Sequence, residues 1–449
     1  MTLLRIKNGY DLNISGAPTE ALEVLASPER VAVLPAKIPF IKPKPTVAAG
    51  DAVRRGSVLF VDKRNPRIRF LSPGGGRVAD IRFGPRRAIE AIVVVLSPTE
   101  SEESFLVMSD ADVEAISRAE LIQYLLDGGL WPMLRALPFR DIADPDPNLR
   151  PPAIIVDLGA QEPFLPQPSV YLDAQTQLFD RGLALLRRLC DRVVVYGPQT
   201  MKAGQNGIGS RVTHTYRGGY PASDPGVMVY HTRTGPEDNR SWYICGQDLL
   251  AMARLTVAGR YPVERIVAVG GSESPVRCHV KTRLGVPLAH LIGGALPAGA
   301  RPVVGGVFRG YGSDPDGYLG FYETSLALLP EGPDEEFLGF VRPGYGRASY
   351  SRTFLSAANP APLFMDCNFH GEERACVACS ACNRVCPVEM LPQLAFKSVL
   401  TGEIEEVLAY GLLDCVECGL CTYVCPSKID LCAIFKSAKR DYHKEQVAP

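Results

Sequence analysis

Ten of the thirteen cysteines in this 449-residue chain crowd into its last ninety positions. Eight of them form two runs, Cys376-Val-Ala-Cys379-Ser-Ala-Cys382-Asn-Arg-Val-Cys386-Pro387 and Cys415-Val-Glu-Cys418-Gly-Leu-Cys421-Thr-Tyr-Val-Cys425-Pro426. Each is Cys-x2-Cys-x2-Cys-x3-Cys-Pro, and every cysteine and the proline recur 39 positions later, an internal duplication. Thiolates are soft ligands for iron, and three of them at two-residue gaps wrap one face of a cubane. The fourth ligand must come from elsewhere. In two-cluster chains with this spacing the last cysteine of each run serves the other cluster. The spacing therefore assigns Cys376, Cys379, Cys382 and Cys425 to one [4Fe–4S] cluster, and Cys415, Cys418, Cys421 and Cys386 to a second. Zinc also uses Cys-x2-Cys pairs, but it gives no reason for two matched four-cysteine runs each closed by proline. Cys367 and Cys432 lie outside the pattern and read as structural. Iron–sulfur clusters pass one electron at a time, so this region is an electron conduit or the docking end of one.

Elements must hold these runs in place. Between them, residues 390–400 and 403–413 carry apolar side chains at three- and four-residue steps, which predicts two helices. The linker is longer than small β-rich ferredoxins use, so an α-helical ferredoxin domain is expected over 331–449, entered through a Gly/Pro-rich stretch at 332–346. Upstream, residues 36–96 read as short strands between tight turns: Val47-x-x-Gly50-Asp51-x-Val53-x-x-Gly56, then Val58-Leu59-Phe60-Val61, then Ser72-Pro73-Gly74-Gly75-Gly76-x-Val78. Valines bounded by Gly and Pro favour small β-sheets. The pattern resembles a barrel-sandwich, lipoyl-like domain within residues 1–100. Lipoyl carriers present a lysine near the position of Lys63, but Arg64-Asn65-Pro66-Arg67 leaves two residues too many before Ser72-Pro73. Lys63 reads as a solvated turn lysine.

Residues 101–255 alternate strand and helix. Ala153-Ile-Ile-Val-Asp157 suits a strand buried on both faces, a helical pattern follows over 178–189, and Arg192-Val-Val-Val-Tyr196 is the next buried strand. This order implies a Rossmann-like parallel α/β sheet. Such sheets bind ligands beyond the carboxyl ends of their strands, here residues 157–166 and 197–209. Gly204, Gly207 and Gly209 make no phosphate loop, because neither Gly-x-Gly-x-x-Gly nor Gly-Lys-Ser/Thr is present. They read as a surface loop. Residues 256–330 return to strands, expected at 266–269, 303–308 and 324–328, in a small β-grasp-like domain. The fold class is thus multidomain α/β.

Composition sets outer limits. A chain this long needs several domains, and 46% hydrophobic with 22% charged residues is the make-up of folded protein. The net charge of −1 leaves no basic surplus for phosphates, so nucleic acid is not an expected partner. The longest apolar run, at 91–96, is far short of a membrane span. The start, MTLLRIKNGYDLNISGAP, lacks the apolar core and cleavage site of a secretory signal. A cytoplasmic protein is expected, touching a membrane only through partners.

Scattered segments carry a resemblance over nearly the whole chain. They are Ile6-Lys-Asn-Gly9-Tyr-Asp-Leu12 with Gly16-Ala-Pro18, Gly128-Gly-Leu-Trp131 with Arg135 and Pro138-Phe139, and residues 255–259. Further on come Thr282-Arg-Leu-Gly285, residues 305–310, Tyr318-Leu-Gly320-Phe-Tyr322 and Val424-Cys-Pro426. In order and spacing these resemble the NqrA family of Na⁺-translocating NADH:quinone reductases. Family members have lost most cluster cysteines, whereas this chain keeps all eight. In that respect it is similar to the RnfC family of Rnf ferredoxin:NAD oxidoreductases. That relative has a Gly-Leu-Gly-Gly-Ala-Gly-Phe-Pro motif for flavin and NADH, whereas the stretch here is Asp127-Gly-Gly-Leu-Trp-Pro132. Glu162-Pro163 echoes a short nucleotide-site motif of that group. The resemblance implies a peripheral electron-transfer subunit of an ion-translocating complex, with membrane and flavin subunits as partners. NADH and FMN are then held by those partners, and quinone is the acceptor, its site not located by the sequence. The alternatives are an Rnf-type component, or a docking component whose clusters only staple its fold.

Overall fold

The computed structural model describes residues 2–201, 207–332, 341–368 and 370–447; Gly204 and residues 333–340 of the Gly/Pro-rich stretch lie outside them. Apolar runs without polar alternation need cover on both faces. Ile154–Asp157 and Val193–Pro198 find it in the middle of a seven-stranded sheet. Its order is Thr2–Arg5, His214–Arg217, Val193–Pro198, Ile154–Asp157, Trp242–Cys245, Arg135–Ala136, Asp141–Ile142. The first five strands are parallel and the last two antiparallel. Side chains alternate across a strand. Ile154 and Val156 therefore meet the helices Thr176–Leu189 and Gly246–Ala258, through Phe179, Leu183, Leu249 and Leu250. Ile155, Val194 and Tyr243 face the other way. There they share one core with Val385, Ala395, Leu412, Leu420 and Phe435 of the cysteine-rich end. A doubly wound sheet covers both faces with its own crossover helices. Here Pro225–Thr232 covers part of the second face and the C-terminal region covers the rest.

The barrel sandwich consists of a four-stranded sheet (Arg30–Val33, Ile89–Leu96, Gly76–Phe83, Ala52–Val53) and a three-stranded one (Pro43–Pro45, Val58–Asp62, Arg69–Leu71). On paired strands of the three-stranded sheet, Phe60 and Phe70 stack at 4.4 Å. Lys63 is an exposed turn residue, beside a buried Asp62 that accepts from the Lys42 and Arg64 backbone N–H groups at 3.0 and 3.1 Å.

A third, mixed sheet has the order Tyr311–Gly312, Ala300–Val304, Ser325–Pro330, Glu264–Gly270, Cys278–Arg283, Leu22–Val24. The strand expected at 303–308 stops at Val304. Gly305 and Gly306 turn to φ +89° and +119°, a conformation no strand continues, and residues 305–310 become a loop. The N-terminal segment threads the molecule, since its first strand joins the seven-stranded sheet and Leu22–Val24 joins the mixed one.

Beyond residue 380 the described chain is helical: Ala381–Val385, Pro392–Thr401, Ile404–Ala409, Leu420–Tyr423 and Leu431–Val447. The two helices expected between the cysteine runs are present. The second ends at Ala409, four residues short of the apolar pattern, because Gly411 at φ +95° breaks the helix.

Candidate metal centre

The duplicated sequence folds into a duplicated backbone. Left-handed residues occur at Ala378, Ser380 and Glu389, and again 39 positions on at Glu417, Gly419 and Lys428. Alternating right- and left-handed residues turn successive N–H groups inward, a concavity that suits anions and iron–sulfur clusters. The third cysteine of each run, Cys382 or Cys421, sits in the short helix just after the second of these residues.

Cys425 of the second run stands with the first three thiols of the first run, and the other four thiols line no part of the cavity they share. Cys376, Cys379, Cys382 and Cys425 line that one cavity, walled by Phe396, Ile429 and Leu431. Cys379 is exposed, while Cys382 is buried. Burial pushes the Cys382 thiol up to about 11, against the Asn383 backbone, with Cys379 and then Cys425 adding to the rise. The second group lies deeper. Burial pushes the Cys386 thiol up to about 12, against the Val388 backbone, and its nearest like neighbour in effect is Cys415, ahead of Cys382. Burial also raises the Cys421 thiol well above its ordinary value, and Cys418, Cys432, Cys415 and Cys386 add to the rise. Among the described residues no three Cys, His, Asp or Glu side chains stand close enough to share one metal ion. Thiols around a cubane stand farther apart than thiols around a single zinc, because each binds its own iron. Sulfur donors and inward N–H groups fit [4Fe–4S] clusters. Loading them must release the thiol protons.

The deeper group is clamped by the α/β region. Lys439, fully buried, donates to the Pro138 and Cys415 carbonyls at 2.8 and 3.0 Å and pairs with Glu417 at 3.1 Å. Tyr220 donates its hydroxyl to the Cys418 carbonyl at 2.9 Å and stacks on Phe308 at 5.0 Å. Asn8 donates to the Cys386 carbonyl at 3.1 Å. Asp224 sits 2.8 Å from Arg140 and 2.7 Å from Arg309. Burial alone would raise the Asp224 carboxyl, but these guanidiniums overcome it and hold it down at about 2. Arg309 also opposes the rise at Cys418, and Lys439 and Arg140 do so at Cys415. Three cations thus favour negative charge on the deeper thiols.

None of these supports belongs to a cysteine run. Lys439 had a visible signal: Leu431, Phe435, Lys439 and His443 continue one buried stripe at four-residue steps. Arg140, Tyr220, Asp224 and Arg309 carry no such mark. Cys432, buried, stands beside Cys421, and Cys367 is half-buried beyond the runs.

Among the described residues, the glycine pair at 128–129 and Glu162 are packed against the protein itself. A side chain at Gly128 would strike Leu255, and one at Gly129 would strike Leu71. Trp131 behind them is buried and donates to the Ala143 carbonyl at 2.7 Å. Glu162 is buried and accepts from the Phe308 and Arg309 N–H groups at 2.7 and 2.8 Å, pinning the 305–310 loop. Asp157, at the carboxyl end of its strand, is pushed up to about 7 by burial, against the Gly159 N–H that it accepts at 2.7 Å. Gly207 is left-handed and exposed, but Ile208 and Gly209 after it are buried in a 3-10 turn.

Residues 4–97 match the NqrA N-terminal barrel-sandwich hybrid domain, 116–261 the NqrA second alpha/beta domain, and 375–429 a 4Fe-4S dicluster domain. Among curated proteins the chain is 31% identical over 418 residues to the NqrA component of the Na(+)-translocating NADH-quinone reductase of Klebsiella pneumoniae, covering 92% of each chain. The corresponding proteins of Tolumonas auensis and Yersinia pestis are each 30% identical, again over 92% of both chains. A chain of the NAD+-reducing [NiFe]-hydrogenase overlaps 40% of each chain at 14% identity and TM-score 0.32.

Proposed function

This chain belongs to the NqrA family of Na⁺-translocating NADH-quinone reductase components, and from that premise we propose that it relays electrons through two [4Fe–4S] clusters. Within such a complex it is a peripheral component, held to the membrane by partner subunits, and among the described residues no helix is long and apolar enough to cross a bilayer. The relatives' name supplies NADH as donor, quinone as acceptor and Na⁺ as cargo, and we carry these to the complex rather than to this chain. NADH and FMN are assigned to partner subunits, which agrees with the packed Gly128-Gly129 segment and the pinned Glu162. We read the seven-stranded sheet as Rossmann-like, the mixed sheet as the β-grasp-like unit, and the C-terminal region as an α-helical ferredoxin domain.

The observation that carries the reading is the cavity that Cys376, Cys379 and Cys382 line together with Cys425 of the other run, while Cys386 and Cys418 are buried in the core shared with the α/β sheet. A [4Fe–4S] cluster supplies one-electron chemistry. The chain's residues do the rest. Eight thiols give up protons and ligate, inward N–H groups and three cations hold negative charge at the deeper site, and the shared core keeps that site against the sheet. Purified anaerobically, the chain should hold about eight irons with matching sulfide, and should show two reducible cluster signals by EPR. Stoichiometric zinc without sulfide would sink the proposal.

A further inference from the structure

We propose that the surface around Cys376 and Cys379 is the docking face for an acidic one-electron carrier protein. The inference rests on the cluster reading above and names the partner of its outer end. Residues 370–375 and 377–379 are exposed, and Val377 at their centre is 68% exposed, a large apolar side chain held in solvent directly over the cavity that the outer thiols line. No other thiol of the eight reaches the surface as Cys379 does.

Cations ring this apolar centre. Arg384 is exposed and donates to the Cys379 carbonyl at 3.2 Å. Arg374, also exposed, is anchored by its own N–H on the Ser427 carbonyl at 2.9 Å and reaches toward Pro426. Lys428 stands beside Cys425; burial lowers its ammonium, and the nearby Arg347 and Arg374 guanidiniums lower it further. Like charges so close repel, and among the described residues no ion pair joins any of these four cations to a carboxylate. Glu372 and Glu373 are the exposed carboxylates next to Arg374 in sequence, while Asp366 is taken up by His370 at 2.9 Å. The four cations outnumber these two carboxylates. A small apolar contact at the redox edge inside a charged rim is the form of a transient interface whose complementary charge sets the encounter rate. The excess cations fit a carrier with an acidic rim. One electron crosses, the carrier being oxidised as the outer cluster is reduced, or the reverse.

The test is stopped-flow electron exchange between the anaerobically purified full chain and an acidic [2Fe–2S] ferredoxin. The second-order rate should fall as salt rises. Arg374→Glu with Lys428→Glu should slow it roughly tenfold at low salt and flatten the salt dependence, whereas Arg86→Glu on the barrel-sandwich hairpin should leave it unchanged. Val377→Ser, which changes no charge, should slow it as well. EPR of each variant must show both clusters. If the wild-type chain lacks clusters, the relay reading fails. If clusters are present but the rate ignores both salt and charge reversal, or rises on reversal, the docking face is overturned while the relay stands.

Discussion

Cys386 is the residue on which the ligation turns. It closes the first run in sequence, yet the thiol that raises it most is Cys415, the first of the second run. Serine keeps the size but supplies a harder, more basic ligand, so the cluster it touches should lose an iron or shift in potential. With crossed ligation, Cys386→Ser plus Cys415→Ser damages one cluster and leaves the other intact. Cys386→Ser plus Cys376→Ser damages both. Counting surviving clusters by EPR separates the cases, and the opposite pattern would return Cys425 to its own run. The eight thiols stand out in the sequence because they repeat at the strict local spacing that a cubane would impose. Lys439, Arg309 and Tyr220 could not be assigned to the site that way. They lie up to two hundred residues from the thiols they serve, and a buried cation shows its purpose only through the fold.

At the scale of elements, long-range pairing is what local pattern leaves out. The strands at 154–157 and 193–198 and the helix at 176–189 announce themselves by apolar run and by periodicity. Leu22–Val24, exposed along its length, does not, since its place beside Cys278–Arg283 is decided by an edge 250 residues away. One buried histidine ties that arrangement together. His279 accepts the Gln167 N–H at Nε2, at 3.0 Å, so its proton must sit on Nδ1, which donates to the Thr19 carbonyl at 2.7 Å. Only the neutral ring satisfies both contacts. Burial holds its pKa below the ordinary value, with the Thr19 contact opposing. The unfolded chain takes up a proton near pH 6.5. Between there and the lower folded value it binds more protons than the native state, so stability falls as pH falls. Urea midpoints should therefore drop more steeply below about pH 6.5 in the wild-type chain than in His279→Gln. Equal slopes would show that His279 does not titrate on unfolding.

Across the whole molecule, the parallel sheet presents two faces with different fates. One is closed by its own helices, and the other is closed by the cysteine-rich region through a common apolar core. The deeper thiols are thereby fixed against the sheet rather than carried on a tether, a geometry suited to a relay built into a larger complex. The same packing bears on what the chain can do alone. A nucleotide site in an open α/β sheet needs a free crevice beyond the strand ends and glycines that let phosphate approach the backbone. Here Glu162 and the 305–310 loop stand beyond those strands, and Gly128 and Gly129 are pressed on Leu255 and Leu71. On the proposed reading, electrons from NADH arrive already divided, one at a time, from a flavin elsewhere. The isolated chain, with both clusters loaded, should oxidise NADH negligibly and retain no flavin through gel filtration, yet its clusters should still take electrons from dithionite. Tight NADH binding by calorimetry, with one flavin per chain, would move the entry point of the complex into this chain.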